Sequence, residues 1–202
     1  MFSRMRMEEI VTPEGSVQLD LDVRAGADYE YVRGEERHRI GELQRVRRVR
    51  LGETVTLVFE NRETIRSTLE EALRTERIDD PERVAAERAA FDAVVPPRGE
   101  LAAMLFLEVA DPADLAAAAA AIEGIEHTVF LEVAGARVRG VPEAVAPPGE
   151  RAPAHYLRIA LEPGVRAAVL SGAAIAVGTD HPNLTVLVQL DEEQRQAIVA
   201  DL

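Results

Sequence analysis

The 202-residue chain contains no cysteine and no lysine. Without cysteine it can form no disulfide, thiolate nucleophile, iron–sulfur cluster ligand or sulfur-based zinc site. Without lysine it lacks the amine of a Schiff base and the lysine of a P-loop, which excludes pyridoxal enzymes, lysine aldolases and Walker-type nucleotide hydrolases. These two absences exclude more chemistry than any motif in the sequence indicates.

Several further motifs are missing. The few serines include none in a GxSxG setting, no histidine pair forms HExxH, and no GxGxxG follows a predicted strand. No run approaches about 18 consecutive apolar residues, and the amino-terminal MFSRMRMEEIV lacks the apolar core of a signal peptide. We therefore expect a soluble, cytoplasmic protein with no membrane association.

Charge is abundant but unevenly distributed. The net charge is −13, yet residues 1–50 hold ten basic and ten acidic residues, so the whole acidic excess lies beyond residue 50. Such an acidic body repels phosphate backbones, and we expect no nucleic-acid partner. Seven arginines lie between Arg33 and Arg50. This arginine-rich segment is typical of a solvated helix face that pairs with the acidic remainder or with a partner protein.

Hydrophobic periodicity predicts the elements before residue 100. Alternation in SVQLDLDV predicts a strand at 16–23, and looser helical spacing predicts a helix from about 29 to 48, which two glycines weaken. ETVTLVFEN is dominated by β-branched residues and predicts a strand. One helix is predicted from about 65 to 78, and a second begins with Asp80 as its cap.

From residue 101 onward the pattern is regular. A strand, a helix opened by an acid–proline pair, a strand, a turn and a strand occur at 101–141 and again at 153–190, which indicates a duplicated strand–helix–strand–strand unit. A proline-rich loop at 142–153 separates the two copies, and an amphipathic helix capped by Asp191 closes the chain. The predicted fold is α+β, a mixed sheet covered by helices in a single compact domain over 1–202, with 1–50 a less regular charged segment.

The junction FENRET at 59–64 carries the densest polar cluster. Asn61 is a natural helix cap, flanked by Glu60 and Arg62, and Glu71 and Arg74 continue along the predicted helix. One interpretation is a cap followed by a solvated helix face. The other is a binding site in which Arg62 and Arg74 hold an anionic group while Glu71 orients them.

The histidines suggest a second candidate site. Asp180 and His181 lie in the turn sequence TDHPN, and His155 opens the strand HYLRIAL. A carboxylate beside an imidazole can fix its tautomer for metal binding, although the same residues suit a tight turn. Two histidines with carboxylates such as Glu60 and Glu71 would favour a divalent metal, non-haem iron or manganese rather than zinc.

The sequence also resembles the bacterial domain-of-unknown-function family 3501. The resemblance runs from about residue 29 to 202, through RRVRLGETVTLVFENRETIRSTLEEALRTERI, FDAVVPP, LAAMLFLEV, GIEHTVFLEV, HYLRI, DHP and ADL. The matching polar positions are Glu60, Asn61, Arg62, Thr64, Glu71, Arg74, Glu76, His155, Asp180 and His181. The resemblance implies an association with redox or peroxide stress, and a rubrerythrin-like or iron–sulfur protein as partner.

Three hypotheses of function follow, and the sequence leaves open whether the protein is an enzyme. The first is a non-catalytic accessory or binding protein that docks a redox or stress-related partner. The second is a metal-dependent redox or hydrolytic protein that uses iron or manganese. The third is a binder of an anionic small molecule. Oligomeric state is not indicated by any sequence feature.

Overall fold

The computed structural model describes residues 22–143 and 154–202, which form six α-helices and nine β-strands. The helices are α1 (Gly26–Arg45), α2 (Arg62–Thr75), α3 (Pro81–Asp92), α4 (Leu115–Ala121), α5 (Pro163–Leu170) and α6 (Glu192–Val199). The strands are β1 (Arg48–Leu51), β2 (Val55–Glu60), β3 (Glu100–Leu107), β4 (Val129–Val133), β5 (Ala136–Arg139), β6 (Val141–Pro142), β7 (Ala154–Ala160), β8 (Ile175–His181) and β9 (Leu184–Gln189). The predicted strand at 16–23 and the predicted loop at 142–153 lie largely outside the described residues.

The strands form two sheets, in the orders β1-β2-β3-β7-β6 and β5-β4-β8-β9. The predicted α+β class is confirmed. Every strand pair within the described ranges is antiparallel, so the parallel neighbours expected of a mixed sheet do not form. The reason is that α4 and α5 each join a strand of the first sheet to a strand of the second, while α2 and α3 together join the antiparallel neighbours β2 and β3.

The order strand–helix–strand–strand occurs twice, as predicted. The first unit is β3-α4-β4-β5 and the second is β7-α5-β8-β9. Their opening strands β3 and β7 pair with each other in the first sheet, and their second strands β4 and β8 pair in the second sheet. The two units are therefore joined through two antiparallel strand pairs.

The main hydrophobic core lies between the two sheets. Side chains such as Leu57, Leu105 and Leu157 from the first sheet meet Leu131 and Val177 from the second, and all five are nearly inaccessible to solvent. A second cluster, which includes Ile65, Leu69, Leu73, Phe91 and Tyr156, packs α2 and α3 on the opposite face of the first sheet. Strand β2 is consequently buried on both faces.

Helix α1 is attached to α2 mainly by charged groups. Glu70 of α2 is fully buried and accepts three hydrogen bonds from Arg24, at 2.8–3.0 Å. Glu36 of α1 accepts hydrogen bonds from Arg24, Arg39 and Arg66. These bonds bring the pKa of Glu36 down to about 2, with the bond from Arg39 the largest cause.

In the part of the chain that the structure describes, no helix is both long enough and apolar enough to cross a membrane.

Candidate functional site

Asn61 has a structural role at the start of α2. Its side chain accepts hydrogen bonds from the backbone N–H groups of Glu63 and Thr64, at 3.0 and 3.1 Å, while the Thr64 hydroxyl accepts from the Asn61 N–H at 2.9 Å. This reciprocal arrangement is a capping box. The predicted cap is therefore confirmed. Arg62 follows as the first, partly buried residue of the helix.

Glu60 ends β2 and points toward the face of the first sheet that α2 and α3 cover. Its side chain is buried, and neither carboxylate oxygen has a hydrogen-bond partner among the described residues. The Tyr156 hydroxyl is likewise buried and without a described partner. Desolvation raises the pKa of Glu60 to about 7, because the nearby Thr64 hydroxyl and the charge of Arg47 offset only part of it.

Glu71 and Arg74 face α1 rather than the histidines. The Glu71 carboxylate accepts hydrogen bonds from the Tyr29 hydroxyl at 2.9 Å and from Arg33 at 2.8 and 3.2 Å. Arg74 forms an exposed ion pair with Glu30 at 2.6 Å. Glu71 thus orients Arg33, and not the predicted partners Arg62 and Arg74.

The arginine-rich segment pairs with the acidic remainder of the chain. Ion pairs join Arg39 to Glu63, Arg45 to Glu193, Arg47 to Asp201 and Arg48 to Glu108. The segment was expected to pair either with the acidic remainder of the chain or with a partner protein, and these ion pairs are of the first kind. Docking of a redox partner stays a prediction, and these four arginines are already engaged.

The DHPN turn holds the end of α4. The Asn183 side-chain amide donates to the Ala121 carbonyl at 2.7 Å, and the His181 ring Nε2 lies 3.1 Å from the Glu123 carbonyl. Because His181 Nδ1 accepts from the Asn183 N–H at 3.2 Å, Nε2 carries the proton and donates. Asp180 is bound by Arg139 in a two-bond ion pair. The turn therefore supplies partners for carbonyls that the helix leaves unsatisfied.

The predicted metal ligands are not assembled. Within residues 22–143 and 154–202, no group of three or more histidine, aspartate or glutamate side chains is arranged to hold a metal ion. Both ring nitrogens of His181 bind the chain itself, and Asp180 pairs with Arg139. His155 points to the opposite face of β7 from Tyr156, so it is separated from Glu60 by the first sheet. An iron or manganese site stays a prediction, and the described residues do not provide a set of ligands for it.

His155 instead borders a cavity of about 330 Å³ at one end of the first sheet. The cavity is bounded by the start of β2, the end of β3, the start of β7 and the last turn of α4 with the segment that follows it. The lining residues are Val55, Leu105, Phe106, Leu107, Ala119, Ala120, Ile122, Glu123, Gly124, Ile125, Glu126 and His155. Most of this surface is apolar.

Two polar groups meet at the cavity. Glu126 Oε2 lies 3.8 Å from His155 Nε2, and the Glu126 side chain is only 17% exposed. Glu126 is placed by the chain reversal at Gly124, whose φ of 84° is accessible to glycine without strain. The next residue, Ile125, is buried and anchors the segment in the main core.

The sequence identified His155 but not Glu126 or the cavity. The available signal was the alanine run of α4, whose small side chains leave space between that helix and β3. GIEH at 124–127 reads as the end of a helix, and nothing in it indicates that Glu126 meets a strand about thirty residues later. That contact depends on how the two sheets stack.

Comparisons with known proteins give a family and a fold without an activity. A family model described as "Protein of unknown function (DUF3501)" matches residues 20–202. A solved structure of a novel protein of unknown function from Burkholderia pseudomallei K96243 is similar, with 29% sequence identity and a TM-score of 0.82. The match covers 92% of this chain and 99% of that one. No curated protein matches.

Proposed function

Since the chain belongs to the DUF3501 family, whose description assigns no activity, we propose from the geometry alone that it binds a small, largely apolar molecule in the cavity between β3 and α4. The observation that carries this proposal is an apolar cavity whose wall holds two neighbouring polar side chains, Glu126 and His155, with Glu123 as a third polar residue of the lining. Small-molecule sites in proteins typically have this character.

The size and lining of the cavity define the ligand. A volume of about 330 Å³ is at the lower end of the range of ligand pockets, so the ligand is a small organic molecule. Leucine, isoleucine, valine, phenylalanine and alanine side chains form most of the wall, and an apolar body would lose water-exposed surface on entering. Affinity therefore comes mainly from burial of apolar area.

The polar groups define which end group the ligand carries. Glu126 lies within 4 Å of both His155 and His127, and Glu123 adds a second carboxylate to the lining. Ionised carboxylates accept hydrogen bonds and repel other anions. An amine or hydroxyl group at the end of the apolar body fits this wall, whereas a carboxylate does not.

The DHPN turn supports the site indirectly. His181 and Asn183 bind the carbonyls of Glu123 and Ala121, and so fix the segment that carries Glu126. These two residues are positioning residues, since they are not among the cavity-lining residues. The proposal thus gives the DHP sequence a function that does not require metal binding.

The test uses three matched probes, hexylamine, 1-hexanol and hexanoate, titrated by calorimetry. Saturable binding in the order amine, alcohol, carboxylate is expected. Glu126→Gln should weaken the amine at least about fivefold and leave the alcohol almost unchanged, because it removes a charge-assisted hydrogen bond. Ala120→Phe should weaken all three by obstructing the cavity.

The matched control is Glu82→Gln, which makes the same charge change at an exposed position of α3 that is not part of the cavity lining. It should leave binding unchanged. Absence of saturable binding for every probe would overturn the proposal, as would equal effects of the Glu126 and Glu82 substitutions.

A further inference from the structure

A groove between α1 and α2 is separate from the apolar cavity and differs from it in character. Its volume is about 690 Å³, and it shares no lining residue with the cavity. The lining residues are Arg33, Arg37, Ile40, Gly41, Gln44, Ser67, Thr68, Glu71, Ala72, Arg74, Thr75 and Glu76. Most of them are polar or charged.

Small residues keep this groove open. Gly41 on α1 has no atom within 4 Å of the position where a Cβ would stand, and α2 contributes Ser67 and Ala72 to the opposite wall. Glycine in a helix interior costs about 1 kcal/mol relative to alanine. In α1 this cost falls at a residue that lines the groove.

Three arginines border the groove in a protein of net charge −13. Arg33 is fixed by two hydrogen bonds to Glu71, which also accepts one from the Tyr29 hydroxyl. Although partial burial opposes the effect, the bonds from Arg33 and Tyr29 bring the pKa of Glu71 below its ordinary value. The Glu71 charge is therefore already compensated.

The other two arginines remain accessible to a ligand. The Arg37 side chain is 61% exposed and lies 3.9 Å from Glu71, beyond hydrogen-bond distance. Arg74 pairs with Glu30 in an exposed ion pair, and such pairs contribute little stability. An anion in the groove can therefore bind Arg37 and compete with Glu30 for Arg74.

We propose that this groove binds a small organic anion through a phosphate or carboxylate group held by Arg37 and Arg74, with Arg33 as a fixed cationic wall. Guanidinium groups match both kinds of oxyanion with paired hydrogen bonds. The side chains of Gln44 and Ser67 on the same walls offer further hydrogen-bond donors. The two oxyanion chemistries are separated by the choice of probe.

The experiment is calorimetric titration with pyrophosphate and with citrate at fixed ionic strength. Saturable binding of at least one probe is expected, and the one that binds identifies the oxyanion chemistry. Arg37→Gln should weaken it about tenfold, the loss of a charge-assisted interaction. Gly41→Leu should also weaken it, because the new side chain occupies the groove while every charge is kept.

Arg83→Gln is the matched control, since Arg83 is an exposed arginine of α3 outside the groove. It should bind the probe as the unmodified protein does. Melting curves establish that each variant is folded. Absence of saturable binding up to about 10 mM, or equal weakening by the Arg37 and Arg83 substitutions, would overturn the inference. Neither outcome depends on whether the apolar cavity binds its own ligand.

Discussion

Glu60 lies at the end of β2 beneath α2, where a carboxyl group is deprived of both water and hydrogen-bond partners among the described residues. The Thr64 hydroxyl donates to the Asn61 carbonyl, and its presence nearby lowers the Glu60 pKa only in part. The Arg47 guanidinium is bound to Asp201. Desolvation therefore dominates, and the folded protein favours the protonated carboxyl group.

This carboxyl group should make the stability of the protein depend on pH. With a pKa of about 7 in the folded state and about 4.5 when unfolded, only the unfolded chain loses the proton as pH rises between these values. Each such pH unit lowers the free energy of unfolding by about 1.4 kcal/mol. Glu60→Gln removes this loss, so the variant should gain about 2 kcal/mol over the unmodified protein between about pH 5.5 and 7.5.

Urea denaturation at several pH values measures that gain. Burial of the new amide adds a cost that does not change with pH. The informative quantity is therefore how the difference in free energy of unfolding between the variant and the unmodified protein changes with pH. Curves that run parallel across the range would show that Glu60 is already ionised in the folded state.

Local roles of single residues were predictable from the sequence, and long-range ones were not. Asn61 was identified as a cap because the signal lies within four consecutive residues. The partners of Glu71 are Tyr29 and Arg33, about forty residues earlier, and no periodicity relates those positions. His155 lies in a strand, as predicted, while its role as a metal ligand stays a prediction; its contact with Glu126 depends on how the sheets stack and has no signal in the sequence.

At the scale of elements, helices α1 and α2 form for different reasons. Helix α2 has a clear apolar face, with Ile65, Leu69 and Leu73 buried, together with a complete capping box. Helix α1 buries little apolar surface and contains Gly34 and Gly41, yet it runs for 20 residues. Charged hydrogen bonds to α2 compensate for the small apolar contact. Because these contacts are long-range, periodicity indicates α1 only weakly.

The capping box gives a prediction for α2. Asn61→Ala should lower the free energy of unfolding by about 1 kcal/mol, because two backbone N–H groups lose their acceptor. Asn61→Ser keeps a capping oxygen and should recover most of the loss. The two variants are compared by denaturant midpoint. Equal stability of the alanine and serine variants would mean that the cap contributes nothing.

At the scale of the whole molecule, one buried ion pair connects the start of the first sheet to the carboxyl-terminal helix. Arg47 precedes β1 and is 3% exposed, and it binds Asp201 through two hydrogen bonds and the Ala197 carbonyl through a third. Gln194 of α6 also donates to the Arg48 carbonyl in β1. Residues about 150 positions apart are thereby held together.

Asp201→Ala should destabilise the protein by about 3–5 kcal/mol, because it leaves the Arg47 charge buried without its partner. Combining it with Arg47→Met should restore much of the loss, since the uncompensated charge is then removed. Thermal or urea unfolding measures both variants. Glu132→Ala, which removes one partner of the more exposed pair with Arg137, is the control and should have a much smaller effect.

The arrangement of two sheets could not be predicted from the sequence. The repeated strand–helix–strand–strand order was visible, and the expectation of a mixed sheet followed from the usual right-handed crossover between parallel strands. The sequence pattern does not indicate which strands pair with each other. In the structure, β3 pairs with β7 and β4 pairs with β8. These choices depend on surfaces from both units and have no local signature.

The pairing of each unit with the other has a consequence for how the chain acquires its structure. Glu100 pairs with Ala160 and Val133 with Ile175, so the central ladders join positions between 42 and 60 residues apart. Such high contact order slows folding, because a long loop must close before either of these two ladders forms. Neither unit can complete its sheets alone. During synthesis, one edge of β3 and one edge of β4 should therefore stay unpaired until β7 and β8 have left the ribosome, and this interval is when the chain is most exposed to aggregation.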